Sequence, residues 1–112
     1  MKTINQYGES IRENLDNPVA LARIHNDMTT DVGELATILK PLLLKRSQEW
    51  INIKMSNGDK PLSDKFTDMK FNTTPNGELI MELEFKIKMM EKMMQSISKT
   101  LRIAELEARN QI

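Results

Sequence analysis

Residues 74–109 read TPNGELIMELEFKIKMMEKMMQSISKTLRIAELEAR, from Thr74 to Arg109, and their pattern decides the fold. From Leu83 the apolar residues fall at Leu83, Ile87, Met90, Met94, Ile97, Leu101, Ala104 and Ala108. Steps that alternate four and three mark a helix with a narrow apolar seam. A helix over 78–109 would run roughly 48 Å at 1.5 Å per residue. A helix that long and that amphipathic needs other helices to cover its seam in water. The spacing therefore predicts a mainly α fold in which the C-terminal helix, 74–110, also joins copies of the chain. Ile87, Met90, Met94, Ile97 and Leu101 are the expected oligomerisation residues, because a monomer offers few ways to cover the seam.

A second pattern overlaps the first. Met81, Leu83, Phe85, Ile87 and Met89 alternate with Glu82, Glu84, Lys86 and Lys88, and Met69 and Phe71 alternate with Lys70 and Asn72. Around Pro75-Asn76-Gly77 this also reads as a β-hairpin over 68–88. Met, Glu, Leu and Lys are good helix formers, β-branched residues are scarce over 78–96, and Glu82 and Glu84 stand four before Lys86 and Lys88. Those features favour the continuous helix.

Upstream, Ile4, Tyr7, Ile11 and Leu15 share one helical face over 1–16, in a helix weakened by Gly8 and expected to fray. Asn17-Pro18 is an N-cap followed by a proline at the first helical position. It opens a long helix over 17–54, with Leu21, Met28, Leu35 and Leu42 in one row and His25, Val32, Leu39, Arg46 and Ile53 in the next. Pro41 predicts a kink near 37–41. Ser56-Asn57-Gly58-Asp59-Lys60-Pro61 is a loop, and Ser63 can cap a short helical turn within the connecting segment 55–73. The whole chain, 1–112, reads as one domain.

The totals exclude several classes. Basic and acidic residues number sixteen each, and they balance in both halves: seven of each in 1–55 and nine of each in 56–112. With no basic domain, strong non-specific nucleic-acid binding by a single copy is disfavoured. The absence of cysteine removes disulfides, thiolate metal sites and cysteine nucleophiles. No apolar run approaches a membrane span, and the N-terminus lacks a signal-peptide core, so a cytoplasmic protein is expected. His25, with Asp27, Asp31 and Glu34 on a neighbouring face, is conceivable as a metal site but reads more simply as a core-edge histidine beside an acidic stripe. The four glycines are isolated, so there is no phosphate loop, and no nucleophile–base pair is evident. No cofactor, no metal and no enzymatic activity are expected. Met89, Met90, Met93 and Met94 form a soft patch suited to packing or to adaptable binding.

Two basic excesses remain. Residues 40–65 carry Lys40, Lys45, Arg46, Lys54, Lys60 and Lys65 against Glu49, Asp59 and Asp64. Residues 86–102 carry Lys86, Lys88, Lys92, Lys99 and Arg102 against Glu91 alone. Trp50, the one tryptophan, stands a turn beyond Arg46. Cations beside an aromatic ring suit single strands, with phosphates on the cations and a base on the ring. Lys40, Lys45, Arg46, Trp50 and Lys54 are the candidate nucleic-acid-binding residues.

The run Leu43-Leu44-Lys45-Arg46-Ser47-Gln48-Glu49-Trp50, the polar loop, and Leu62-Ser63-Asp64-Lys65-Phe66 together resemble small phage-encoded recombination-mediator proteins of the UvsY-like kind. The closing Lys99-x-x-Arg102 and Glu105-x-Glu107-Ala108-Arg109-Asn110 are similar to small phage replication and recombination proteins. The likeness spans about 40–110. It departs in having Lys45 and Arg46 adjacent and a single Trp where the family has paired tyrosines. The resemblance implies a non-enzymatic accessory of DNA recombination or replication. Such a protein forms a homo-oligomeric ring in the cytoplasm of an infected bacterial host and helps load a recombinase on single-stranded DNA. The residues alone also fit a protein-interaction module, such as an inhibitor of a host protein, or an assembly factor without nucleic-acid contact.

Overall fold

Four helices run in chain order in a computed structural model that describes residues 1–110: α1 (Ile4–Glu13), α2 (Pro18–Lys54), α3 (Asp64–Asn72) and α4 (Pro75–Asn110). No strand occurs among the described residues, so the fold is mainly α. The last two positions of the expected domain, 111 and 112, lie outside them. Backbone proximity divides the chain into a terminal unit, residues 1–34 with 86 onward, and a central unit, residues 35–85. Both α2 and α4 contribute residues to each.

The hairpin pattern is resolved by how α4 distributes its apolar residues. Ile80, Leu83 and Met90 are buried and Ile87 is half-buried, in steps of three and four, while Met81 and Phe85 are exposed. The period-two alternation is thus split between two faces of one helix. Good helix formers on both faces let the 3.5-residue spacing prevail.

In the terminal unit, α1 is better defined than Gly8 suggests. Thr3 Oγ1 accepts from the Gln6 N–H at 3.1 Å, and the Thr3 N–H donates to Gln6 Oε1 at 2.9 Å. This reciprocal capping box satisfies two donors that a helix start leaves orphaned. Tyr7 is buried and its hydroxyl donates to Asp31 of α2, fastening α1. Gly8 leaves room for a side chain, since a Cβ there would meet Met93 Cε at 3.7 Å. Asn17 Oδ1 accepts from the Ala20 N–H at 3.1 Å and caps α2 as its sequence predicts. The buried set is Tyr7, Leu21, Ile24, Met28, Met90 and Ile97.

In the central unit, α2 continues through Pro41 without interruption of the helix. Lys54 ends it by donating to the Leu62 carbonyl at 2.9 Å, across a loop where Gly58 takes φ +69°. Ser63 caps α3 through the Phe66 N–H, and Thr74 caps α4 through the Gly77 N–H at 3.1 Å. Between α3 and α4 the backbones close tightly: a Cβ on Gly77 would lie 2.0 Å from the Phe71 carbonyl oxygen. Only glycine permits that approach. Asn76 then donates to Glu49 of α2 at 2.7 Å. Leu35, Leu39, Thr67, Phe71, Ile80 and Leu83 are buried, and the Thr67 hydroxyl is satisfied by the Ser63 carbonyl at 2.8 Å.

Candidate functional site, a cleft beside Trp50

The central unit holds a cleft of about 560 Å³ in which all three of its helices take part. Phe71 and Ile80 are buried in its wall, and Ile51 and Met81 stand exposed at its rim. Trp50 of α2 forms one side. Its indole N–H donates to Asp68 Oδ1 of α3 at 2.7 Å, which fixes the ring plane. Arg46 and Glu84 face each other at the mouth, Nη1 to Oε1 3.9 Å, each about half exposed. An ion pair that long and that wet contributes little to stability. Its value is in the charge it sets at the mouth. Counting Asp68, the cleft carries one cation and two carboxylates.

The five residues assigned to a nucleic acid from the sequence divide into two groups. Arg46, Trp50 and Lys54 are brought together, but each is engaged within the chain. Lys54 Nζ lies 5.2 Å from the Trp50 ring centroid and donates to Asp64 Oδ1 at 2.5 Å as well as to Leu62. Lys40 and Lys45 are exposed and do not line the cleft. Three contributors were not singled out from the sequence: Asp68, eighteen residues from Trp50, Glu84, and Gly77, whose missing side chain lets α4 approach α3.

The expected oligomerisation seam is covered in part within one chain. Met90 and Ile97 are each 1% exposed and Ile87, Met94 and Leu101 are half-buried, with a single copy of the chain present. The deepest residues of that seam form the core of the terminal unit. A second copy is not required to cover them, because α1 and α2 supply Tyr7, Leu21, Ile24 and Met28 to the same core.

His25 is half-buried, with Nε2 3.4 Å from Ser98 Oγ, and Asp31 is taken by Tyr7. Among the described residues no three His, Cys, Asp or Glu side chains converge as metal ligands, and no helix is long and apolar enough to cross a membrane. Burial pushes the Tyr7 hydroxyl well above the usual tyrosine range. The hydrogen bond to Asp31 and the charges of Asp31, Asp27 and Glu34 push in the same direction.

No protein-family model, no curated protein and no solved structure matches the chain.

Proposed function

We propose that the chain is a non-enzymatic docking module whose Trp50 cleft takes an apolar anchor side chain from a helical segment of a partner protein. The observation that carries this reading is the exposed apolar collar on a preformed cleft. Ile51 and Met81 stand at the rim, Leu44 lies two turns from Ile51 on α2, and Phe85 lies one turn from Met81 on α4. Met81 is 54% and Phe85 60% exposed. Apolar surface gathered around a cleft and rimmed by charge is the kind that partner helices use. The excess of carboxylate over cation in the cleft lining favours a partner that is basic beside its anchor.

Trp50 is the one tryptophan, so its emission reports on this cleft. Titration with an amphipathic Leu/Lys helical peptide should shift the emission to shorter wavelength and saturate, and Met81→Asp should abolish the shift. A shift that follows the chain's own concentration instead would make a second copy the occupant and support the homo-oligomer. No saturable shift in either arm would end the docking reading.

The phage-type recombination-accessory reading is retained as a second proposal, with single-stranded DNA or a recombinase as partner. Lys40 and Lys45 favour it. Lys40 has no acidic residue three or four positions away, and Glu49, one turn from Lys45, accepts from Asn76. A response to oligothymidylate at ~50 mM salt, without a response to the peptide, would put this reading first, since electrostatic binding is strongest at low salt.

A further inference from the structure

The second basic excess, residues 86–102, leads to a separate site in the terminal unit. His25 of α2 and one face of α4 line an open cleft of about 470 Å³, with Glu91, Met94, Gln95, Ser98, Lys99 and Arg102 along α4. Those six positions are three, one, three, one and three apart, which is a single helical face. The cleft is polarised along its length. Glu91 stands eleven residues before Arg102, about 16 Å along the axis at the helical rise. The two cations, the imidazole and the Ser98 hydroxyl gather at the other end. No acidic residue lies three or four positions from Lys99, and Glu105, three beyond Arg102, is held by Arg109 at 2.8 Å.

We propose that the His25–Ser98–Lys99–Arg102 end of this cleft binds a phosphate group. A guanidinium offers paired N–H donors that match phosphate oxygens, an ammonium adds a point charge, and hydroxyl and imidazole N–H groups complete a set of donors. The Ser98–His25 contact at 3.4 Å is long for a hydrogen bond, so both groups can turn to a phosphate oxygen at small cost. The same pair does not read as nucleophile and base. Ser98 is exposed, and the cleft's one carboxylate, Glu91, sits two helical turns from it, too far along α4 to orient the imidazole. The phosphate can belong to a free ion or monoester, or to the diester backbone of a nucleic acid.

Inorganic phosphate titrated into the full chain, with chloride replaced at constant ionic strength, tests the site through the His25 ring and Ser98 amide resonances. Saturating shifts at both are expected. They should weaken by at least about fivefold in Arg102→Gln, as loss of a charge-assisted donor at an exposed site implies, and stay unchanged in Arg12→Gln. Arg102 is exposed, so the variant should keep the wild-type circular dichroism. Shifts that grow linearly without saturation, or that persist undiminished in Arg102→Gln, overturn the proposal. Oligothymidylate that displaces phosphate and binds more tightly assigns the site to a diester backbone. Oligothymidylate that fails to displace it assigns the site to a free phosphate or monoester.

Discussion

Replacing Gly77 with alanine places the fold under its sharpest local test. The new Cβ would stand 2.0 Å from the Phe71 carbonyl oxygen, 2.8 Å from the Phe71 carbonyl carbon and 3.0 Å from Asn72 Cα. All three obstacles are backbone, so no side chain can rotate aside and α4 must retreat from α3. Overpacking of this kind costs about 1–3 kcal/mol. The retreat also strains the Thr74 cap, whose hydroxyl donates to Phe71 O at 2.6 Å while accepting from Gly77 N–H, and a cap is typically worth ~1 kcal/mol. Against this, alanine gains up to about 1 kcal/mol over glycine in a helix. The sum is a loss of about 1–3 kcal/mol, or a fall in Tm of roughly 4–12 °C for a chain of this size. Gly33→Ala is the matched control: nothing lies within 4 Å of its added Cβ, so the same substitution should raise stability by about 0.5–1 kcal/mol. Urea unfolding followed by far-ultraviolet circular dichroism and Trp50 emission measures both. A Gly77→Ala chain as stable as the wild type would refute the close approach of α3 and α4.

Ile97→Asp should unfold the terminal unit, because a charge would enter a position 1% exposed; the loss should exceed about 3 kcal/mol, seen in circular dichroism at any protein concentration. A folded Ile97→Asp chain that had merely dissociated from a larger assembly would restore the seam to an intermolecular role. Tyr7→Phe removes the donor to Asp31 and should cost about 1–2 kcal/mol in urea melts at neutral pH. The Tyr7 hydroxyl keeps its proton more firmly in the fold than in the unfolded chain, so its contribution is full below the ordinary tyrosine value of 10.0 and is lost as pH rises above it. Melts of the wild type should therefore weaken above that pH more steeply than melts of Tyr7→Phe.

Much of the architecture was written in local signals. The steps of three and four in α4, the Asn17-Pro18 start, and the caps at Ser63 and Thr74 each involve residues within one or two helical turns. The structure places a helix at every one of them. What covers a helix face is a different kind of information. The seam at Met90 and Ile97 states that something apolar must meet it, and a second copy or the chain's own α1 and α2 satisfy that demand equally in sequence. Against the fraying expected of α1 stand one local and one distant feature. Thr3-x-x-Gln6 is a capping box that can be read directly. The Tyr7–Asp31 bond spans twenty-four residues and leaves no periodic trace. Trp50 is the same case at the candidate site. Its spacing from Arg46 and Lys54 was visible, but Asp68 and Glu84, which turn a basic aromatic patch into a cleft of mixed charge, arrive from other helices.

That mixed charge makes Glu84→Gln the variant on which the two functional readings part. In the docking reading Glu84 draws a basic partner to the mouth. Its loss should weaken the Leu/Lys peptide by up to about fivefold, the scale of an exposed ion pair, with the effect largest in the association rate. In the strand-binding reading Glu84 competes with phosphate for Arg46 across 3.9 Å. Its loss should then strengthen oligothymidylate binding and steepen the dependence of log affinity on log salt by about 0.7, the increment for one more phosphate of a single strand. Glutamine keeps the size and helix propensity of the site, and Glu84 is half exposed, so stability should hardly change. One substitution therefore moves the two affinities in opposite directions. Peptide affinity that rises in Glu84→Gln would remove the charge argument for a basic partner. Oligothymidylate affinity that does not rise, in a wild type that binds it, would place the strand away from Arg46 and leave Lys40 and Lys45 as its remaining cations on α2.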